Sequence, residues 1–344
     1  MKRALIIGLS GYNLGDEAIA VATYLELRKK YQTVSATTVK SGTLGKYGIP
    51  EIVFNRRSIR SWFQICKEMA SSDTVYIGGG SLIQDKLGIG LISGVLSFFL
   101  QSVIASKLLS KRVTTLPIGA DQLNTKLGKA YAKTAIALLG KLNLRDQASE
   151  NVIKSISPNK STQVYADPAY LLPSPTAIAT QKKVLISLVL ENLDEEKLRQ
   201  IHSGITEAFN QNQSDLFYIA MERRESDELS LYQSLGIPAD RIIIPSDINE
   251  AIMEIRNSRL LIAMRLHALI LGHGHVPLIG ISRTTKTAAF CMEGNVPILD
   301  IENIPENVSD ALIKMNELTD KKFKDQQDAS AKKNQLARNF FNDN

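Results

Sequence analysis

Cysteine is nearly absent from this chain. Its 344 residues hold two, Cys66 and Cys291, far apart and outside any C-x-x-C pattern. That excludes a disulfide framework and a thiolate metal centre, and it fits a reducing cytoplasm. The start, RALIIG, is strand-like and lacks the n-region, apolar h-region and small-residue cleavage site of a secretory leader. Zinc-finger, RNP and basic-helix patterns are missing too, and Lys and Arg are scattered. The net charge of +6 and pI near 9.1 therefore point to small anions or an anionic membrane surface, and no nucleic acid partner is expected. Long apolar runs are missing with one exception. Residues 87–106 carry no formal charge, long enough to span a bilayer. They include Gln101, four serines and three glycines, so the stretch reads as a buried or interface-touching helix.

What is there is an alternation. Apolar residues make up 44% and charged residues 22%, as in soluble globular proteins, and the length suggests two domains. Strand-like runs at 4–8, 33–38, 74–77, 113–118, 142–144 and 163–165 are followed by others at 183–188, 215–220, 241–244, 260–263 and 278–280. Helical patterns at 17–30, 59–70, 96–109 and 129–139 fall between the earlier ones. Such alternation predicts an α/β fold, with parallel sheets covered by helices on both faces. Three prolines with Ser and Thr interrupt it at 167–183. The expected organisation is two Rossmann-like domains facing a cleft, at 1–170 and 183–320. A linker at 171–182 joins them, and a polar tail at 321–344 is a terminal helix or a frayed end.

In open α/β sheets the chemistry follows the strands. After the first strand, Gly8, Gly11 and Gly15 punctuate a loop that matches neither G-x-G-x-x-G nor G-x-x-x-x-G-K-[ST]. The second strand, in TVSATTVK, offers no acidic residue for a ribose. A dinucleotide is thus excluded. Asn13 can cap the next helix, with Asp16 reaching back and Glu17 beside it, leaving N–H groups for an anion or a sugar hydroxyl. After the third strand comes Gly78-Gly79-Gly80, then Ser81, Gln84 and Asp85, all suited to hydroxyls. Three adjacent glycines signal close approach of a backbone to a ligand or to a facing element. Arg145 ends a strand in NLRDQAS and suits a carboxylate or phosphate; the alternative is a surface pair with Asp146.

Three of the four histidines fall in one stretch, as His267, His273 and His275. The first two are six apart, on different helix faces, and no carboxylate completes a set, so no metal is expected. His273 and His275 read as a helix-to-strand turn. His267 follows a strand directly, two residues from Arg265, and is the better candidate for chemistry. Arg283 and Lys286 add positive charge after the next strand. These loops suit a small, multiply charged anion and a hydroxylated partner.

Six stretches in this order resemble the polysaccharide pyruvyl transferase family: NLGDEAI, IGGGSLIQD, LRDQAS, ADPAYLL, MRLHALI and GISRTTKTAAF. They extend over residues 1 to about 290. The resemblance implies a GT-B-like glycosyltransferase architecture and transfer of the enolpyruvyl group of phosphoenolpyruvate to a cell-surface polysaccharide sugar or its lipid-linked precursor. A pyruvate ketal and phosphate would be the products, with no cofactor besides the co-substrate. It implies donor contacts at Arg145, the Leu266 backbone and His267, joined by Arg283 and Lys286. Gly11, Asn13, Gly15, Glu17, Gly79, Gly80, Ser81 and Gln84 would face the acceptor. Catalysis would involve His267 as acid, Arg265 as anion clamp, and Asp16 or Asp85 as base. The chain departs from the family pattern at PIGADQL, at ISLVLENL and at Arg283, in loops expected to shape the acceptor site. Two further readings stay open on the same fold: a nucleotide-sugar glycosyltransferase, and a non-catalytic assembly protein. The expected location is the cytoplasm, with peripheral contact at an anionic membrane.

Overall fold

The computed structural model describes residues 2–86, 88–90, 94–173, 183–190, 193–210, 215–222, 228–282 and 284–344. Most of the expected linker, parts of 87–106, and Arg283 lie outside the described residues. Contacts divide the chain into two units. One holds Asp16–Leu172 with the residues before Asn13 and with Lys333–Asn344; the other holds Asn13–Gly15 and Pro173–Lys332.

The first unit is built on a five-stranded parallel sheet. Its strands lie in the order Glu51–Val53, Thr33–Thr38, Arg3–Ser10, Thr74–Ile77 and Arg112–Thr115. Strand Arg3–Ser10 is buried on both faces, as its unbroken apolar run ALIIG requires. The chain winds outward from it to one side, then returns to its other side as Thr74–Ile77. The direction therefore reverses between Ile7 and Ile77, which are register partners. Helices Ile59–Ser71 and Val95–Leu108 pack on a core of Phe54, Ile65, Met69, Phe98 and Val103. Ser58 caps the first of them, accepting from the Ser61 N–H at 3.3 Å. The uncharged stretch thus supplies a core helix, burying Leu96, Phe98, Phe99 and Val103. No helix among the described residues is long and apolar enough to cross a membrane.

The second unit repeats the plan with six parallel strands. Their order is Ile242–Ile243, Asp215–Ile219, Lys183–Ser187, Leu260–Ala263, Leu278–Ser282 and Ile298–Asp300. Its reversal falls between Ser187 and Ala263, again register partners. The core includes Val184, Ile186, Leu198, Ile201, Tyr232, Ile262 and Leu312. The short strands Glu51–Val53, Ser81–Ile83, Gly119–Ala120 and Ile298–Asp300 are additions to the expected set. At two to three residues each, they carry too little pattern to stand out from loop sequence.

The tail differs from the expected division. A single helix, Val308–Asp343, begins well before residue 321. Its last residues belong to the first unit. Phe340 is fully buried and meets the Tyr165 ring edge-on at 5.3 Å, and the Tyr165 hydroxyl donates to Asp343 at 3.0 Å. The Lys30 ammonium donates to the Phe341 carbonyl. Polar residues dominate this helix because only a narrow stripe of it is covered. Phe340→Ala should therefore destabilise the protein by about 3–5 kcal/mol. Thermal melting checks this, and an unchanged transition would mean that the end frays.

Candidate functional site

Ligands of open α/β sheets sit beyond the carboxyl ends of the strands, where the strand order reverses. In the second unit that position is occupied by Met264, Arg265, Leu266 and His267. The Met264 N–H donates to the Ser187 carbonyl at 2.8 Å, extending the sheet by one step. Helix Leu266–Gly272 starts directly afterwards, leaving Leu266 and His267 half-buried in its first turn. The strand-to-helix switch follows from the residues: LLIA is apolar and buried, whereas LHALILG carries helix formers.

Arg265 is held from beneath. Its Nε donates to Glu228 Oε1 at 2.5 Å and its Nη2 to Glu222 Oε2 at 2.6 Å. Glu228 is buried and also accepts the backbone N–H groups of Met221 at 2.6 Å and Glu222 at 3.2 Å. Burial pushes the Glu228 carboxyl up, against the pull of Arg265. Burial alone would lower Arg265, but the two carboxylates outweigh it and hold the guanidinium charged. The sequence marks Arg265 as an anion clamp. Here its charge is matched by two carboxylates, which hold it at the strand end.

The same loop receives Asn13–Gly15. Asn13 forms a bridge to Glu222, and the Leu14 N–H donates to the Met221 carbonyl at 2.9 Å. A Cβ on Gly15 would overlap the His267 imidazole. Glycine is needed there because the ring packs flush against the backbone. At the next strand end Thr284 caps helix Thr285–Glu293, accepting from Thr287 at 3.4 Å. Lys286, half-buried, stands in that helix's first turn.

In the first unit, the reversal brings the two glycine loops together. A Cβ on Gly8 would come within 2.8 Å of the Gly78 carbonyl. Gly79 and Gly80 have φ of 122° and 67°, which favours glycine. A Cβ on Gly80 would lie 2.8 Å from Asp16 Oδ1. A small cavity here is lined by Gly8, Ser10, Asp16, Thr37, Gly78 and Gly79. The Thr37 hydroxyl steadies it, accepting from the Gly8 N–H at 2.9 Å and donating to the Gly8 carbonyl at 2.8 Å. Asp16 is therefore on the cavity wall, whereas Glu17 turns inward, fully buried with Lys46 at 3.4 Å and the Tyr47 hydroxyl at 3.1 Å. Gly11 is buried against Val39.

The remaining candidates lie in both units, Arg145, Gln84 and Asp85 in the first and His273 and His275 in the second. Arg145 is buried; its Nη2 donates to the Ser81 hydroxyl at 3.0 Å, and Asp146 and Asp167 lie at 3.3 and 3.5 Å. Gln84 donates to the Ser81 carbonyl at 2.7 Å. Asp85 accepts from the Asn124 N–H at 3.1 Å and from the Thr125 N–H and hydroxyl at 2.7 Å each. It thereby anchors the start of helix Lys126–Leu138. His273 is buried with Nε2 3.1 Å from the Gly294 carbonyl and its ring against Phe290. Burial, aided by Arg256, pushes His275 down to about 4. No group of three or more His, Cys, Asp or Glu among the described residues could hold a metal ion.

Two contributors carry no sequence motif. Glu228 is far in sequence from Arg265, and only the fold joins them. Ser187, the last residue of its strand, is buried with no partner for its hydroxyl among the described residues. A polar residue directly after the apolar run at 184–186 is the one signal that could have found it.

A family model described as polysaccharide pyruvyl transferase matches residues 13–284. No curated protein matches the chain. Among solved structures, S. aureus MnaA with UDP matches at TM-score 0.65 and 11% identity, over 100% of this chain and 94% of that one. The UDP-GlcNAc 2-epimerase from Neisseria meningitidis, bound to UDP-GlcNAc, gives 0.60 and 13%, over 100% of both chains. An α-glucosyltransferase with UDP and DNA gives 0.55 and 10%, over 97% of this chain and 94% of that one. The fold is GT-B-like.

Asp85 yields a pH test. Burial alone would raise its pKa, but the hydrogen bonds from Thr125 and Asn124 outweigh it and hold the carboxyl below its ordinary value. Folding thus favours the ionised form. The stability it adds is complete above the unfolded value, about 3.9, and is lost as pH falls through the lower folded value. Asp85→Asn should cost about 1–3 kcal/mol at neutral pH and lose less of its stability on acidification. Melting curves from pH 7 to 2.5 check this; parallel acid limbs for both proteins would remove Asp85 from the account.

Proposed function

The chain belongs to the polysaccharide pyruvyl transferase family, and on that premise we propose that it converts phosphoenolpyruvate and a sugar diol into a pyruvate ketal and phosphate. The sugar is that of a cell-surface polysaccharide or its lipid-linked precursor. Protonation of the methylene carbon of phosphoenolpyruvate makes the methyl group and leaves cationic character at C2. One sugar hydroxyl adds to C2 and gives up its proton. Phosphate then leaves with its bonding electron pair, and the second hydroxyl closes the ketal, releasing its own proton.

His267 is assigned as the general acid. It is titratable, stands at the strand reversal of the second sheet, and is fixed by packing against Gly15. That placement within a family match covering residues 13–284 is the observation that carries the reading. Donor charge is assigned to Lys286, the first turn of helix Thr285–Glu293 and the Leu266 backbone, with Arg283 beside them in sequence. Acceptor hydroxyls are assigned to the glycine loops around Asp16, with Asp16 as base. Arg265 and Arg145 are assigned as positioning residues, because each already faces carboxylates. Scarce cysteine supports action in the cytoplasm.

A second reading has one observation in its favour: the structural relatives include proteins solved with UDP or UDP-GlcNAc. It makes the protein a nucleotide-sugar enzyme.

The deciding assay is phosphate release from phosphoenolpyruvate in the presence of a lipid-linked sugar extract, with and without UDP. Acceptor-dependent release that UDP leaves unchanged is expected. No release from phosphoenolpyruvate, together with UDP binding in calorimetry, would support the second reading instead. His267→Ala should keep a cooperative melt near that of the parent and lose about 10²–10⁴ in rate. Gly15→Ala, which displaces the ring without removing it, should also lower turnover. A fully active His267→Ala protein would end the assignment.

A further inference from the structure

Helix Ile59–Ser71 has two faces of opposite character. Inward, Trp62 packs on Phe54 at 5.0 Å and Phe98 at 6.1 Å, and Ile65 and Met69 are fully buried. That face explains the helix as part of the core. The outward face is harder to explain by folding. Ile59 is 88% exposed and Phe63 is 77% exposed, one helical turn apart on the same side. Large apolar side chains held this far into water, as a pair, mark an interaction surface.

Charge says what it meets. Arg57, Arg60 and Lys67 are exposed or half-exposed around the pair, and no carboxylate among the described residues pairs with them. Lys111 continues the basic run at the end of the helix, donating to the Ala70 carbonyl at 2.7 Å. Between residues 55 and 71 there are four cations and one carboxylate, Glu68. Glu68 turns toward Arg3 at 3.8 Å, away from the patch. An amphipathic helix with an apolar ridge and basic flanks is the form that lies in the headgroup layer of an anionic bilayer.

We propose that the outer face of helix Ile59–Ser71 docks the protein onto anionic lipid, with Ile59 and Phe63 inserted and Arg57, Arg60 and Lys67 on the headgroups. This replaces the uncharged 87–106 stretch as the element in contact with the membrane, since the described part of that stretch is occupied in the core. It does not rest on the pyruvyl-transfer reading, because none of Arg57, Ile59, Arg60, Phe63 and Lys67 is assigned to that chemistry.

Trp62 is the sole tryptophan of the chain and reports on this helix without background. The test uses the full-length protein with vesicles of phosphatidylcholine alone or with a third phosphatidylglycerol, carrying brominated chains. Binding is read by sedimentation and by quenching of Trp62. Binding and quenching are expected only with the anionic vesicles, weakening as salt is raised. Arg57→Glu and Arg60→Glu should each weaken binding by about fivefold or more, since about 1 kcal/mol per charge is lost. Ile59→Ser with Phe63→Ser should reduce it more than about tenfold, with the melting temperature kept within a few degrees. Equal binding to neutral vesicles, or binding unaffected by both sets of variants, would overturn the proposal. So would a dimer in sedimentation velocity that Phe63→Ser dissolves, since the face would then be covered by a second copy.

Discussion

A buried carboxylate holds the candidate donor site together. Glu228 accepts the Arg265 guanidinium and two backbone N–H groups at Met221 and Glu222. One side chain thereby ties two strand ends on either side of the central strand Lys183–Ser187. Tyr232, one turn beyond Glu228 in helix Glu228–Ser234, donates to the Ile219 carbonyl and accepts from the Leu188 N–H, securing the central strand as well. Removing a buried charge from one side of such a pair costs more than the pair contributes, because its partner is left uncompensated. The placement of His267 two residues beyond Arg265 inherits that rigidity.

The first unit achieves the equivalent placement by the opposite means. Where the second unit uses charge, the first uses the absence of side chains. Gly8 and Gly78 let adjacent strand ends approach until a Cβ would strike a carbonyl. The backbones turn away with N–H groups and a threonine hydroxyl lining the gap. A glycine-built wall presents backbone dipoles at short range, which suits a neutral polyol. A wall built on Lys286 and a capped helix start suits an anion. The two reversals thus differ in the kind of ligand each can favour.

Much of this is legible in the amino-acid sequence. Strand–helix alternation identifies both sheets, because long apolar runs bounded by glycine leave few alternatives. The motif order identifies the family, and the candidate residues come from the strand ends. What escapes is short or distant. Strands of two or three residues, such as Gly119–Ala120, have no periodicity to read. The Glu228–Arg265 pair is separated by 37 positions. The early start and the docking of the final helix escape, because its buried stripe is thin, with Ala337, Phe340 and Phe341 among polar neighbours.

The roles of the charged motif residues are the hardest part to read, for a physical reason. A sequence motif marks the residues that a site cannot do without, and these include the residues that build it. Asp85 anchors a helix start, Glu17 is buried with Lys46, Arg145 is held by Ser81 and Asp167, and Arg265 is held by two glutamates. Three of them stand at strand ends and Glu17 in the first turn of the helix that follows one, which is also how a ligand-binding residue looks in a sequence. Three of the four, Asp85, Glu17 and Arg145, are buried, and Arg265 is half-buried between its two carboxylates. A charge that is desolvated must be matched within the protein, and a matched charge has little left to offer a passing anion. Asp16, His267 and Lys286 are each only partly buried, and in the proposed reading proton transfer and donor binding are assigned to them.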